Sequence, residues 1–368
     1  MYGGRNEFIF RGANWVRKYV LVALSLILLL MAACSQGSSG TGGTNRTNQE
    51  SSNGEGQGET AEQPRETISL SVSYSSVPDI TDVFSLVTWD NLRAEGYDIQ
   101  PKFMATGELA AQAVAKGDAQ LGAMSANVAL QAIEQGLSVT IVSENVGNQW
   151  ALAAVTDVQS ISDLNGKRLG VHSQTSVTNA LAEYVIKENQ ISPQVVFVPG
   201  SPNRAAALLQ GQLDATLLEM ADVLALQREA PDKVHLLASY TELMPNLDNI
   251  YWTVQNRFLQ ERPDVVEDLI RGYLVTIRQA YEDPSYIIDR GYKYYTNIEP
   301  EVFEEAIHTY LENNIVSPNG GIPEEDAQFT LQFFAEGIGI DASTADIGKY
   351  YDLEPLGRVL DEIGTYEP

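Results

Sequence analysis

Five short polar breaks in this sequence each follow an apolar, strand-like run and open a helical pattern. They are Tyr74-Ser75-Ser76, Thr106-Gly107, Ser125-Ala126-Asn127, Ser173-Gln174-Thr175 and Gly200-Ser201. The chemistry they offer is hydrogen bonding: hydroxyls, amides, and the free N–H groups and positive dipole end of a helix N-terminus. In open α/β sheets ligands bind beyond the carboxyl ends of the strands, which is where these breaks fall. One such hydroxyl alone reads equally as an N-cap, worth about 1 kcal/mol; five converging on one cleft make a binding site. Two charges stand close to the breaks. Arg204 has the geometry to hold an anion bidentately. Glu219 opposes an anion at close range and suits an amine. The two also have the option of pairing with each other, which leaves the sign of the ligand open. Trp150 and Tyr251 supply aromatic surface suited either to closing over a ligand or to packing.

Catalytic constellations are thin. The three histidines, His172, His235 and His308, have no metal-ligand spacing, and only His172 falls at the end of a strand. The sequence has no Gly-rich phosphate loop, no nucleophile elbow and no HExxH. No enzyme activity, cofactor or metal is expected.

The elements that must position these groups alternate short apolar strands with amphipathic helices from residue 68 onward, an α/β pattern. Thr67–Tyr74 reads as a strand, followed by a helix carrying Val83, Leu86 and Val87 on one face. A strand near Ile99–Met104 precedes a helix over Glu108–Lys116, and Val177–Asn189 reads as another. Pro263, Pro284 and Pro300 mark helix starts in a helical C-terminal region. An internal echo links Ala110–Asn127 to Ala205–Ala221: an Ala-rich helix, a Gly, a buried strand, then a polar break. Aligning Gly117 with Gly211 sets Ser125 opposite Glu219. The echo suggests two lobes of like construction, with chance likeness of Ala-rich helices as the alternative.

The N-terminus reads as a targeting segment. Arg11, Arg17 and Lys18 precede an apolar run, Val20–Leu30, that is too short for a helix to cross a bilayer, and it ends at Met31-Ala32-Ala33-Cys34. Cys34 is the single cysteine, so no internal disulfide explains it. The stretch resembles a bacterial lipobox, which implies lipidation at Cys34 and an extracytoplasmic membrane anchor. Ser35 to about Thr67 is Gly-, Ser-, Thr-, Asn- and Gln-rich and reads as a flexible tether. The formal charge of −26 makes nucleic acid a poor partner, and the acidity fits a solvated surface.

The segment Ile161–Val171, the run Ala205–Ala215, Phe258–Val266 and Asp346–Leu360, in that order and with the lipobox, resemble ABC-importer solute-binding proteins. The branch is that of nitrate, taurine, aliphatic sulfonates and the pyrimidine precursor of thiamine. The resemblance implies an α/β, two-lobed type II periplasmic-binding-protein fold with two crossover hinge strands, placed near Leu152–Asp157 and Tyr251–Gln255. The expected organisation is a lipoprotein signal peptide at 1–33, a tether at 34–67, one lobe from 68–154 plus 255–368, and a second from 155–254. The implied function is capture of a small molecule by hinge closure, as a monomer, for an ABC permease and ATPase. Two readings stand beside it: an enzyme on the same fold, either a pyrimidine-precursor synthase or a lyase, and a binding module that feeds a sensor.

Overall fold

The computed structural model describes residues 67–75, 78–174, 176–341 and 345–367. The expected signal segment, Cys34 and the tether to residue 66 lie outside the described residues, as do Ser76 and Thr175.

The chain builds two five-stranded sheets. The first begins with β1 (Ile68–Tyr74), α1 (Val83–Arg93), β2 (Tyr97–Phe103), α2 (Gly107–Lys116), β3 (Leu121–Ser125), α3 (Ala126–Glu134) and β4 (Val139–Val146). The second holds β5 (Trp150–Val155), β6 (Arg168–Val171), α4 (Val177–Asn189), β7 (Gln194–Phe197), α5 (Ser201–Leu209), β8 (Ala215–Glu219), α6 (Met220–Glu229) and β9 (Val234–Ser239). β10 (Ile250–Gln255) then returns to the first sheet. The longer helices after it are α7 (Pro263–Glu282), α8 (Pro300–Glu312), α9 (Glu324–Ile338) and α10 (Glu354–Ile363).

The two sheets repeat one plan. Their orders are β2-β1-β3-β10-β4 and β7-β6-β8-β5-β9. Each has three parallel strands and then a crossover strand antiparallel to both of its neighbours. The echo is therefore structural. Gly117 and Gly211 both have positive φ, 82° and 67°, at the ends of corresponding Ala-rich helices, a conformation that costs glycine least. Ser125 and Glu219 each end the central parallel strand and precede the next helix.

The crossing points sit earlier than the boundaries expected at 154/155 and 254/255. Trp150–Val155 already pairs with β8 and β9, and Ile250–Gln255 with β3 and β4. The passages between the sheets are thus 147–149 and 244–249. The segments that the resemblance implied as crossovers belong to strands that enter their new sheet at full length, and the chain passes between the sheets in the short stretch before each.

Buried side chains form two clusters, and each draws on both sheets: Leu70, Trp89 and Leu121 with Leu208 and Leu218 in one, Met124 and Ile141 with Leu169 and Leu217 in the other. Pro263 and Pro300 occupy first-turn positions of α7 and α8, as expected, and Pro284 caps a short helix over Ser285–Gly291. Among the described residues, no helix is long and apolar enough to cross a membrane.

Gly170, inside β6 between β7 and β8, leaves no room for a side chain. A Cβ there would lie 2.4 Å from Leu213 Cδ1 and 2.7 Å from Thr216 Oγ1. Gly170→Val is expected to destabilise by about 1–3 kcal/mol, as overpacking does, and a lowered Tm in calorimetry checks it.

Candidate functional site

The carboxyl ends of the two parallel strand sets face one cleft of about 920 Å³. Ser75, Thr106 and Ser125 come to it from the ends of β1, β2 and β3. Ser173, Ser201 and Glu219 come from the corresponding positions after β6, β7 and at the end of β8. Gly107, Asn127, Trp150 and Arg204 also line it. The breaks singled out in the sequence therefore converge.

Their individual roles differ. Thr106 is a true N-cap, accepting from Leu109 N–H at 3.4 Å. Ser125 stands at the N-cap of α3 and makes no capping bond, so its hydroxyl is not spent on the helix. After the fourth break the cap falls to Ser176, which accepts from Asn179 N–H. Ser75 donates to Ala123 O at 2.8 Å and ties the ends of β1 and β3 together. The Ser201 hydroxyl accepts from Glu219 N–H at 3.2 Å and hydrogen-bonds the Asp222 carboxylate. His172 Nδ1 accepts from Gly200 N–H at 3.0 Å, joining two breaks. Partial burial and the charge of Arg204 lower its pKa.

Three of the named residues lie elsewhere. Tyr74 is core: its hydroxyl pairs with Ser85 Oγ at 2.8 Å and accepts from Trp89 Nε1, and its ring stacks on Phe103. Being the seventh residue of β1, it alternates to the face of Leu70 and Val72, and inward parity outweighs nearness to the strand end. Tyr251 is buried behind the cleft, donating to Asp248 Oδ2 at 2.7 Å and packed edge-on against Tyr351. Burial, chiefly, raises the Asp248 carboxyl to about 7. Gln174 is exposed and does not line the cleft; its carbonyl accepts from Asn179 Nδ2.

Among the described residues no ion pair joins Arg204 to Glu219. Arg204 is 1% exposed and its guanidinium is turned onto main-chain carbonyls, Nε to Leu217 O at 2.8 Å and Nη1 to Val198 O at 3.3 Å. Burial lowers its pKa to about 10, against the pull of Glu219 and Asp222. The carboxylates facing the cleft are more numerous. Glu219 is joined there by Asp79 and Asp222, with Glu108 exposed at the cleft edge. Burial raises Asp79, Glu219 and Asp222, and the mutual repulsion of the carboxylates adds to it for Glu219 and Asp222. Asp82 lies just behind and caps the loop, accepting from Asp79 N–H at 3.1 Å.

Sequence reasoning did not find Asp79, Asp222, or the wall formed by Tyr294, Tyr295, Ile298 and Val302 from the chain before and within α8. Tyr295 donates to Asp79 O and fixes that loop. It also passed over Gln149 and Asn249, which line the cleft from the two inter-sheet passages. Among the described residues, no group of His, Cys, Asp and Glu is arranged to hold a metal ion.

The fold is shared with solved structures of low sequence identity. The periplasmic aliphatic sulphonate binding protein SsuA from Escherichia coli matches with a TM-score of 0.61 and 16% identity, over 77% of this chain and 92% of that one. The periplasmic nitrate-binding protein NrtA from Synechocystis PCC 6803 matches with a TM-score of 0.64 and 8% identity, over 81% and 90%. A ligand-binding component of an ABC-type import system from Staphylococcus aureus, with zinc bound, matches with a TM-score of 0.64 and 11% identity, over 80% and 99%. No curated protein matches the sequence. Residues 92–287, more than half of the chain, match the NMT1/THI5-like family, and the chain belongs to that family.

Proposed function

We propose that this protein is the extracytoplasmic solute-binding component of an ABC importer, anchored through lipid at Cys34, which captures a small molecule by closing two lobes over it. Family membership and the fold support the class, and a cleft of about 920 Å³ suits a ligand of small-molecule size. The lobes correspond to the two sheets, and the passages at 147–149 and 244–249 are the hinge. The partners are a permease and an ATPase that recognise the closed form.

The ligand, in this reading, is an amine or aminopyrimidine-type donor and not a sulfonate or nitrate. One observation carries the choice. Asp79, Glu219 and Asp222 face the cleft, while Arg204 is buried and committed to Leu217 and Val198 carbonyls. An anion about 4 Å from one ionised carboxylate is opposed by roughly 4 kcal/mol at an effective dielectric constant near 20. A ligand N–H or ammonium meets the same groups as acceptors.

Thermal-shift and calorimetric titration of the full chain with 4-amino-2-methylpyrimidine, methanesulfonate and nitrate tests this. The aminopyrimidine is expected to bind and the two anions are not. Glu219→Gln is expected to weaken aminopyrimidine binding roughly 10- to 100-fold, the range of a hydrogen bond to a charged group. Stronger binding of nitrate or methanesulfonate by that variant, with none of the aminopyrimidine, would refute the choice.

The carboxylates also dictate a pH dependence. Their folded-state pKa values are raised, so each contributes stability that is complete below the ordinary carboxylate range and is lost as pH rises through the raised value. The ligand-free protein should therefore lose Tm as pH rises above the ordinary carboxylate range, about 4. A cationic ligand needs the ionised form, so its affinity should rise over the same interval, with proton release seen as buffer-dependent binding enthalpy.

A further inference from the structure

The two passages between the sheets are equivalent points of the internal repeat, and they end in equivalent residues. Gln149 immediately precedes β5 and Asn249 immediately precedes β10. Gln149 O accepts from Met220 N–H, the first of α6, at 3.1 Å. Asn249 O accepts from Ala126 N–H, the first of α3, at 2.7 Å. Both side chains line the cleft and both are almost fully buried, at 1% and 3% exposed. Each leaves one amide atom without a hydrogen-bond partner among the described residues: Gln149 Oε1 and Asn249 Nδ2.

The orientation of Asn249 is fixed chemically. Trp150 Nε1 lies 3.0 Å from its side-chain oxygen, and an indole N–H only donates. The atom turned toward Trp150 is therefore Oδ1, and Nδ2 is the end left open. Trp150 also joins the two passages, since it follows Gln149 directly in the chain. A buried amide atom with no partner is costly and calls for an explanation. The orphan Asn145 Nδ2 belongs to a side chain whose Oδ1 accepts from the Tyr273 hydroxyl, and Trp252 Nε1 to an indole packed edge-on against the Tyr273 ring; neither residue lines the cleft. Gln149 and Asn249 open onto the space a ligand would fill.

We propose that Gln149 and Asn249 are a specificity-determining pair that reads the hydrogen-bonding edge of the ligand, one from each hinge passage. Asn249 Nδ2 donates to a ligand acceptor and Gln149 Oε1 accepts from a ligand donor. The ligand class is then one with a donor and an acceptor on one edge, as in a carboxamide, a lactam or an amino-substituted nitrogen heterocycle. A ligand bound this way ties the two passages to each other, so occupancy is communicated at the hinge itself. The inference rests on the cleft being the ligand site, and it concerns the edge of the ligand where Glu219 concerns its charge.

The test is isothermal titration of the full-length wild type with nicotinamide and cytosine, which carry the paired edge, and with nicotinate, which offers acceptors only. The paired-edge probes should bind at least tenfold more tightly than nicotinate. Asn249→Leu should lose binding of all three. Gln149→Met should abolish the preference, and Gln149→Glu, which keeps an acceptor, should retain cytosine binding within a few-fold. Without ligand, Gln149→Met should raise Tm by roughly 2–4 °C, because it removes an unpaired buried atom. Failure of the paired-edge probes to bind wild type, or binding no tighter than nicotinate, overturns the proposal. So does a lowered ligand-free Tm for Gln149→Met, which would mark a structural amide. If Glu219→Gln changes affinity while Gln149→Met and Asn249→Leu do not, the cleft reading survives and the pairing of these two amides falls.

Discussion

Two main-chain hydrogen bonds govern the arrangement of this protein: Met220 N–H to Gln149 O, and Ala126 N–H to Asn249 O. Each fastens the start of a helix in one half of the repeat to the residue where the chain enters that half's crossover strand. Because β5 and β10 are each antiparallel to both neighbours, their first residues arrive beside the last residues of β8 and β3. The register pairs Trp150 with Glu219 and Ile250 with Ser125. Strand ends, helix starts and hinge residues thus meet at one level in each half. The cleft follows from that coincidence.

The electrostatics of the cleft follow from burial. A carboxyl group taken out of water is destabilised in its charged form, and neighbouring carboxylates add to the effect. Asp79, Glu219 and Asp222 share this condition with a single buried guanidinium, which already serves Leu217 O and Val198 O. These three carboxyl groups thus share the cleft with one guanidinium among the described residues. Serine hydroxyls moderate the effect locally: Ser201 supports both the Glu219 main chain and the Asp222 carboxylate.

Much of this was legible in the sequence, for identifiable reasons. Strand and helix periodicity located β1, α2 and α4 closely, because apolar spacing and capping residues agree there. The Ala-rich echo located the repeat, because Gly117 and Gly211 occupy backbone positions with positive φ. The strand-end hydroxyls were visible as breaks in apolar runs. Tyr74 and Tyr251 do not line the cleft, because a strand residue's face depends on parity and both side chains turn inward toward buried partners. Asp79 and the Tyr294–Val302 wall were not legible, since they reach the cleft only through packing between segments more than 200 residues apart. Gln149 and Asn249 carry no motif. Their importance emerges from where an antiparallel strand begins, which local sequence does not encode.

The exchange of crossover strands has a temporal side. β10 lies between β3 and β4, so the first sheet stays incomplete until residue 255 has been made, and β4 has no strand neighbour before then. The second sheet has no such requirement: β5 to β9 follow one another within residues 150–239, and β5 waits only for β8 and β9. The first half is therefore not a contiguous folding unit, and closing a loop of this length places its pairing of distant segments late in folding. A chain ending before residue 250 would leave β3 and β4 without the strand that joins them, while the second sheet would already have all of its strands.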